Sequence, residues 1–135
     1  MPLKPLSMEG PYVQVPSPLP GHAGADTPIA FLDRDGVINR GKSGYVNGAG
    51  EVILLPGAAE SIGMLNEEGY LVCVVTNQSP IARGLWPPAN LGSIHKELQR
   101  QLKEAHPRAE IHAFLTCPHR FEDACNCRKP SPSML

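Results

Sequence analysis

The sequence predicts an α/β domain, a Rossmann-like three-layer parallel sheet with helices between its strands. Ile29–Leu32 and Leu71–Val75 are short continuous apolar runs, the second rich in β-branched residues, as in strands buried on both faces. Segments of helical period lie after each of them, at residues 58–68 and 89–105. Strand alternating with helix implies right-handed βαβ units. Each strand also runs directly into polar residues, and parallel sheets place their ligands at the carboxyl ends of strands.

Residues 1–28 hold seven of the 15 prolines and show no sustained period, so they read as a disordered Pro-rich N-terminal extension. Pro16–Pro20 could form a docking segment, but no basic residue flanks it to orient a partner. Ile29–Leu32 is the first strand, and the Gly- and Asn-rich stretch from Gly36 to Glu51 is loop. Val52–Leu55 leads through Pro56-Gly57 into a helix over 58–68, with Ala58, Ile62 and Leu65 on one face and Gly69 at its C-cap. Leu71–Val75 is the second strand. The helix over 89–105 carries Leu91, Ile94, Leu98 and Leu102 on one stripe, and residues 111–115 form the third strand.

A chain of 135 residues fits one domain and one active site. A formal net charge of −1 and a pI near 6.5 give no field that would draw it to nucleic acid or to an anionic membrane. No apolar run approaches the roughly 18 residues that span a bilayer, and the first residues lack the pattern of an export signal. A soluble, cytoplasmic protein with small-molecule partners is expected. Three of the four cysteines crowd into eleven residues beside a histidine, which is metal-site spacing rather than a disulfide framework.

Asp33-Arg34-Asp35-Gly36 follows the first strand, and carboxylates at i and i+2 can divide the work of nucleophile and proton carrier. A solvated turn or a calcium loop would use the same residues. The calcium reading is weakened by Val37, Asn39 and Gly41 at the alternate positions. Thr76-Asn77-Gln78-Ser79 follows the second strand and Thr116-Cys117-Pro118-His119 the third, so polar groups converge on one edge. Cys117, His119, Cys125 and Cys127 together make a four-donor set for a structural zinc, with buried thiols or a redox pair as alternatives. Cys73 reads as a core residue, and His22, His95, His106 and His112 show no partner spacing.

Phe31-Leu32-Asp33-Arg34-Asp35-Gly36-Val37-Ile38-Asn39, Gly44-Tyr45-Val46, Val75-Thr76-Asn77-Gln78-Ser79 with Ile81-Ala82-Arg83-Gly84, and Cys117-Pro118-His119 with Cys125-Asn126-Cys127-Arg128-Lys129-Pro130 stand in that order. This series resembles the heptose bisphosphate phosphatases, haloacid dehalogenase-like enzymes related to the histidinol-phosphate phosphatases, over residues 27–135. The resemblance implies an incomplete phosphatase domain over residues 29–135 in which Asp33 takes up the phosphoryl group. Asp35 serves as acid and base, Thr76 supplies a hydroxyl, and Lys129 neutralises charge. It implies Mg²⁺ on Asp33 and Asp35 and Zn²⁺ on Cys117, His119, Cys125 and Cys127. Substrate contacts fall to Arg34, Asn77, Gln78, Ser79, Arg83 and Arg128, and to a loop of Lys42, Ser43, Gly44 and Tyr45 that closes over a sugar phosphate.

The chain departs from that pattern in three ways. Pro80 replaces a glycine, and proline fixes φ and lacks an amide donor. The N-terminal extension is unusual. No Asp or Glu follows Asp123, so the second acidic motif and its Mg²⁺ ligand are not found here. Ile29–Leu32 is then expected at an apolar sheet edge, with weak Mg²⁺ binding and slow turnover. A zinc-stabilised protein with a binding role only is the competing expectation. A zinc-ribbon nucleic-acid binder is disfavoured, since no basic, aromatic face accompanies the cysteines.

Overall fold

The computed structural model describes residues 4–5, 11–120, 127–130 and 134–135. Its elements are β1 (Lys4–Pro5), β2 (Tyr12–Gln14), β3 (Ile29–Leu32), a short 3₁₀ turn (Ala49–Glu51), α1 (Ala58–Glu67), β4 (Leu71–Asn77), α2 (Ala89–Ala105) and β5 (Ala113–Cys117). They build one five-stranded sheet in the order β1-β2-β5-β4-β3. β3, β4 and β5 are parallel, with Leu32 opposite Val74 and Thr76 opposite Thr116.

The pleat sorts side chains to two faces. Leu32, Val72, Val74 and Phe114 point to the helix side, where Ala59 and Ile62 of α1 and Leu91, Ile94, Leu98 and Leu102 of α2 complete the core. Burying each such leucine or isoleucine contributes about 1.5–3 kcal/mol, an upper estimate because the unfolded chain is itself partly compact. Val75, Cys73 and Cys117 face the other way and are covered by Cys127 and Met134, which supply the third layer among the described residues. α1 ends where Gly69, at φ 87°, adopts the left-handed conformation. The Tyr70 amide then reaches the Leu65 carbonyl and the Gly69 amide the Asn66 carbonyl, the paired bonds of a Schellman stop.

Two expectations are corrected. Residues 1–28 are not wholly irregular: β2 pairs antiparallel with β5, and the Gln14 side chain is fully buried. The third strand begins two residues late because side chains take up the backbone groups of Ile111 and the facing amide of Val72. Gln99 accepts from the Ile111 amide at 3.0 Å and donates to its carbonyl at 2.7 Å, while His112 Nδ1 accepts from the Val72 amide at 2.9 Å. Among the described residues β3 is an edge of the sheet, with Ile29 and Phe31 each 47% exposed.

Candidate active site

β3 delivers Asp33 to the end of the sheet, and the chain turns at once through Gly36, at φ 82°, where a side chain would be strained. The turn is tied by the Arg34 carbonyl, which accepts from the amides of Val37, Ile38 and Asn39. Asp33 Oδ1 accepts from the Arg34 amide at 2.8 Å and forms an ion pair with Lys129 Nζ at 2.9 Å. Lys129 is carried there by its main chain. Asn77, the last residue of β4, donates to the Lys129 carbonyl at 3.2 Å and accepts from its amide at 2.9 Å. A cavity of about 530 Å³ opens beside this pair, lined by Phe31, Asp33, Val75, Lys129 and Pro130.

Asp35 has different partners. Arg34 grips it with two bonds, Nε to Oδ1 at 3.0 Å and Nη2 to Oδ2 at 3.1 Å, while Asn39 and Gln78 donate at 3.0 and 2.8 Å. The Gln78 amide also reaches Thr76 Oγ1 at 2.9 Å, so Asp35 is linked to the end of β4. Asp33, Asp35, Thr76, Asn77, Gln78 and Lys129 therefore meet where three parallel strands end.

The remaining residues named from the sequence divide. Arg34 does not reach the cavity: its side chain is fully buried, Asp35 takes two of its donors, and His95 Nε2 lies 3.1 Å from Nη1. Burial holds the guanidinium's pKa below its ordinary value, and the neighbouring Asp35 and Asp33 charges offset only part of that. Arg34 therefore works as internal scaffolding and is withdrawn as a substrate contact. Ser79 holds the exposed Arg83 through Nε to Oγ at 3.2 Å. Pro80 sits in a turn whose left-handed residue is Gly84, at φ 71°, so no positive φ is asked of proline.

The Lys42–Tyr45 loop is braced from below. Glu51 accepts from Lys42 Nζ and from the Asn47 amide, both at 3.0 Å, and Trp86 Nε1 donates to Asn47 Oδ1 at 3.1 Å. Ser43 and Gly44 are exposed there, and Tyr45 takes φ 69°. Arg128 donates to the His119 carbonyl at 3.0 Å.

Two sets of donors suit metal ions. Asp33 Oδ2 accepts no hydrogen bond among the described residues and belongs to a carboxylate 46% exposed, an open hard oxygen of the kind Mg²⁺ takes. Cys117, His119 and Cys127 bring one ligand atom each to within 4.8 Å of one another, with His119 Nδ1 at 3.7 and 3.4 Å from the two sulfurs. Two sulfurs and an imidazole nitrogen suit zinc. Cys125, the fourth expected donor, lies outside the described residues.

Sequence reasoning missed Asn39, Asn47, Gln14 and His95. The only signal for His95 was its place on the apolar stripe of α2, between Leu91 and Leu98.

No family model matches the chain. The D-glycero-beta-D-manno-heptose-1,7-bisphosphate 7-phosphatase of Pseudomonas putida is 40% identical over 107 residues, which is 79% of this chain and 60% of that protein. The crystal structure of D,D-heptose 1,7-bisphosphate phosphatase from B. bronchiseptica, complexed with magnesium and phosphate, is similar with a TM-score of 0.74 at 40% identity, covering 79% of this chain and 59% of that one. The chain is homologous to these phosphatases, and its fold is haloacid dehalogenase-like. A protein named a HAD-like phosphatase, from Mesorhizobium loti, shares this haloacid dehalogenase-like fold with a TM-score of 0.79 at 30% identity, over 96% of this chain and 63% of that one. Such coverage includes residues that precede Ile29. The chain spans 55–60% of the length of the curated relatives it matches. No helix among the described residues is long and apolar enough to cross a membrane.

Proposed function

We propose that this chain carries the nucleophile-bearing part of a Mg²⁺-dependent phosphatase that hydrolyses a sugar phosphate, heptose bisphosphate ahead of histidinol phosphate. The observation that carries the reading is the 2.9 Å contact between Lys129 Nζ and Asp33 Oδ1 at the edge of an open cavity. A carboxylate oxygen of Asp33 attacks phosphorus, and the bond from phosphorus to the sugar oxygen breaks. Asp35 gives that oxygen a proton. It then takes one from water, whose attack on phosphorus releases inorganic phosphate and regenerates Asp33.

The transition state spreads negative charge over three equatorial oxygens, so positioning and charge carry the catalysis. Lys129 is held for this task through its main chain, which sets its ammonium group beside Asp33, where the phosphate would arrive. The Thr76 hydroxyl and the Asn77 amide serve the same oxygens. Asp35 accepts bonds on both oxygens, so to donate a proton it must exchange one of its partners as substrate enters. Arg83, Arg128 and the Lys42–Tyr45 loop are the candidate contacts to the rest of the sugar phosphate.

The Asp33 carboxylate and the Asp35 main-chain carbonyl would hold Mg²⁺, which would supply charge neutralisation at the phosphate oxygens. Cys117, His119 and Cys127, with Cys125 as the fourth donor the sequence names, would hold Zn²⁺ as a structural clamp on the segment that delivers Arg128 and Lys129.

A binding-only protein is the second reading, favoured by the commitment of both Asp35 oxygens. Phosphate release from each substrate, measured with and without Mg²⁺ for the wild type and Asp33→Asn, separates the two. Mg²⁺-dependent release abolished by the substitution supports the phosphatase, and release that survives it refutes the assignment of Asp33. Phosphate binding without release in either protein favours the second reading.

A further inference from the structure

The N-terminal strand reaches the site through buried polar groups. Gln14 on β2 and His95 on α2 are both fully buried, and Gln14 Oε1 lies 2.6 Å from His95 Nδ1. His95 Nε2 lies 3.1 Å from Arg34 Nη1. Arginine has donors and no acceptor, so Nε2 must present its lone pair to Nη1. The ring proton is then on Nδ1, where Gln14 Oε1 accepts it. The opposite tautomer would set one N–H against another. Burial, and secondarily the Arg34 charge, keeps the ring neutral, and it stacks on Phe114 at 4.0 Å with the planes 9° apart. Every link is a direct contact: Gln14 holds His95, His95 holds Arg34, and Arg34 grips Asp35.

We propose that Gln14 and His95 are positioning residues, which fix Arg34 so that it presents the Asp35 carboxylate in one orientation to the phosphoryl site. The residues before β3 are then a working part of that site. A planar guanidinium has little freedom once Nη1 is anchored on His95 and Nε and Nη2 on Asp35. Loss of the Gln14 acceptor frees the imidazole to change tautomer, and the Nη1 anchor goes with it. Gln14 and His95 are fully buried and act on Asp35 through Arg34, beside its direct bonds from Asn39 and Gln78. The catalytic consequence rests on the phosphatase reading, whereas the geometry does not.

Nuclear magnetic resonance of the ¹⁵N-histidine-labelled wild type at neutral pH reads the tautomer directly. The proposal expects a protonated Nδ1 and a bare Nε2 for His95, assigned by comparison with His95→Gln. A proton on Nε2 overturns it. The Arg34 Nε–H is expected to exchange slowly with solvent in the wild type and in His95→Gln, which keeps both an acceptor and a donor. In His95→Phe, which keeps only the ring stack, and in Gln14→Leu, exchange is expected to be at least tenfold faster. A role in packing alone predicts the reverse, with Phe tolerated better than Gln, and that order also overturns the proposal.

In phosphate release, Gln14→Leu is expected to lower kcat roughly 10- to 100-fold with KM within about twofold, as displacement of a reacting group does. An unchanged kcat in an active enzyme refutes the catalytic consequence. If the wild type releases no phosphate, the phosphatase reading has failed, and the tautomer and exchange measurements still decide whether these residues position Arg34.

Discussion

Replacing Lys129 with glutamine separates what that side chain does for the fold from what it does for the reaction. Two bonds to Asn77 hold residue 129 in place, and both involve its main chain, so the substitution leaves them intact. Only the ion pair to Asp33 is lost, between side chains 30% and 46% exposed. At that exposure solvent screens the pair, and its net contribution to stability is about 0–1 kcal/mol. The transition state is a different case, because substrate displaces water and charge builds on the phosphoryl oxygens. Loss of one well-placed electrostatic donor then costs about 10²–10³ in rate, or roughly 2.7–4 kcal/mol. Denaturant unfolding and phosphate-release kinetics on the same preparations read the two quantities. Lys129→Gln should unfold within about 1 kcal/mol of the wild type while its kcat falls by at least about 10². A variant destabilised by several kcal/mol with normal kcat would refute the reasoning, since Lys129 would then be holding the structure together.

Asn77→Ala should have the complementary phenotype: both bonds to the Lys129 main chain go, stability falls by about 1–3 kcal/mol, and kcat falls with it, as unfolding and kinetics on one sample would reveal. His95 and His112 are both held below the usual histidine pKa, chiefly by burial, so the unfolded chain binds their protons more readily. Stability is therefore full above about pH 6.5 and falls as pH drops below it, by about 1.4 kcal/mol per unit for each histidine until its folded pKa is reached. Urea unfolding between pH 7 and 5 checks this, and a flat profile contradicts it. Elemental analysis should find about one zinc per chain, strongly reduced in Cys117→Ser, the loss loosening Lys129 while the Asp33 turn keeps its amide protection.

Much of the fold was legible because its signals are local. β3, β4 and the stripe of α2 are written in runs of apolar residues, and the stop of α1 in Gly69. β2 left no such mark: three residues among prolines show no period, and what orders them is pairing with β5 a hundred residues away. The start of β5 was misplaced because Gln99, on another element, satisfies the backbone of Ile111. The same distinction holds at the site. Asp33, Thr76, Asn77 and Lys129 lie in contiguous motifs, and the structure brings them together. Arg34 was taken for a substrate contact on the family resemblance, yet its environment is set in part by His95, 61 residues away. A histidine on an apolar helical stripe is the one cue that pointed to it.

Catalysis through Asp33 requires a covalent bond from its carboxylate to phosphorus. Rapid mixing with sugar phosphate and Mg²⁺, followed by an acid quench and borohydride, would reduce an aspartyl phosphate to homoserine at that position. Peptide mass spectrometry should find homoserine at residue 33 in the wild type and none in Asp33→Asn. Phosphate release with no reduced residue at position 33, or with one at Asp35, would contradict it.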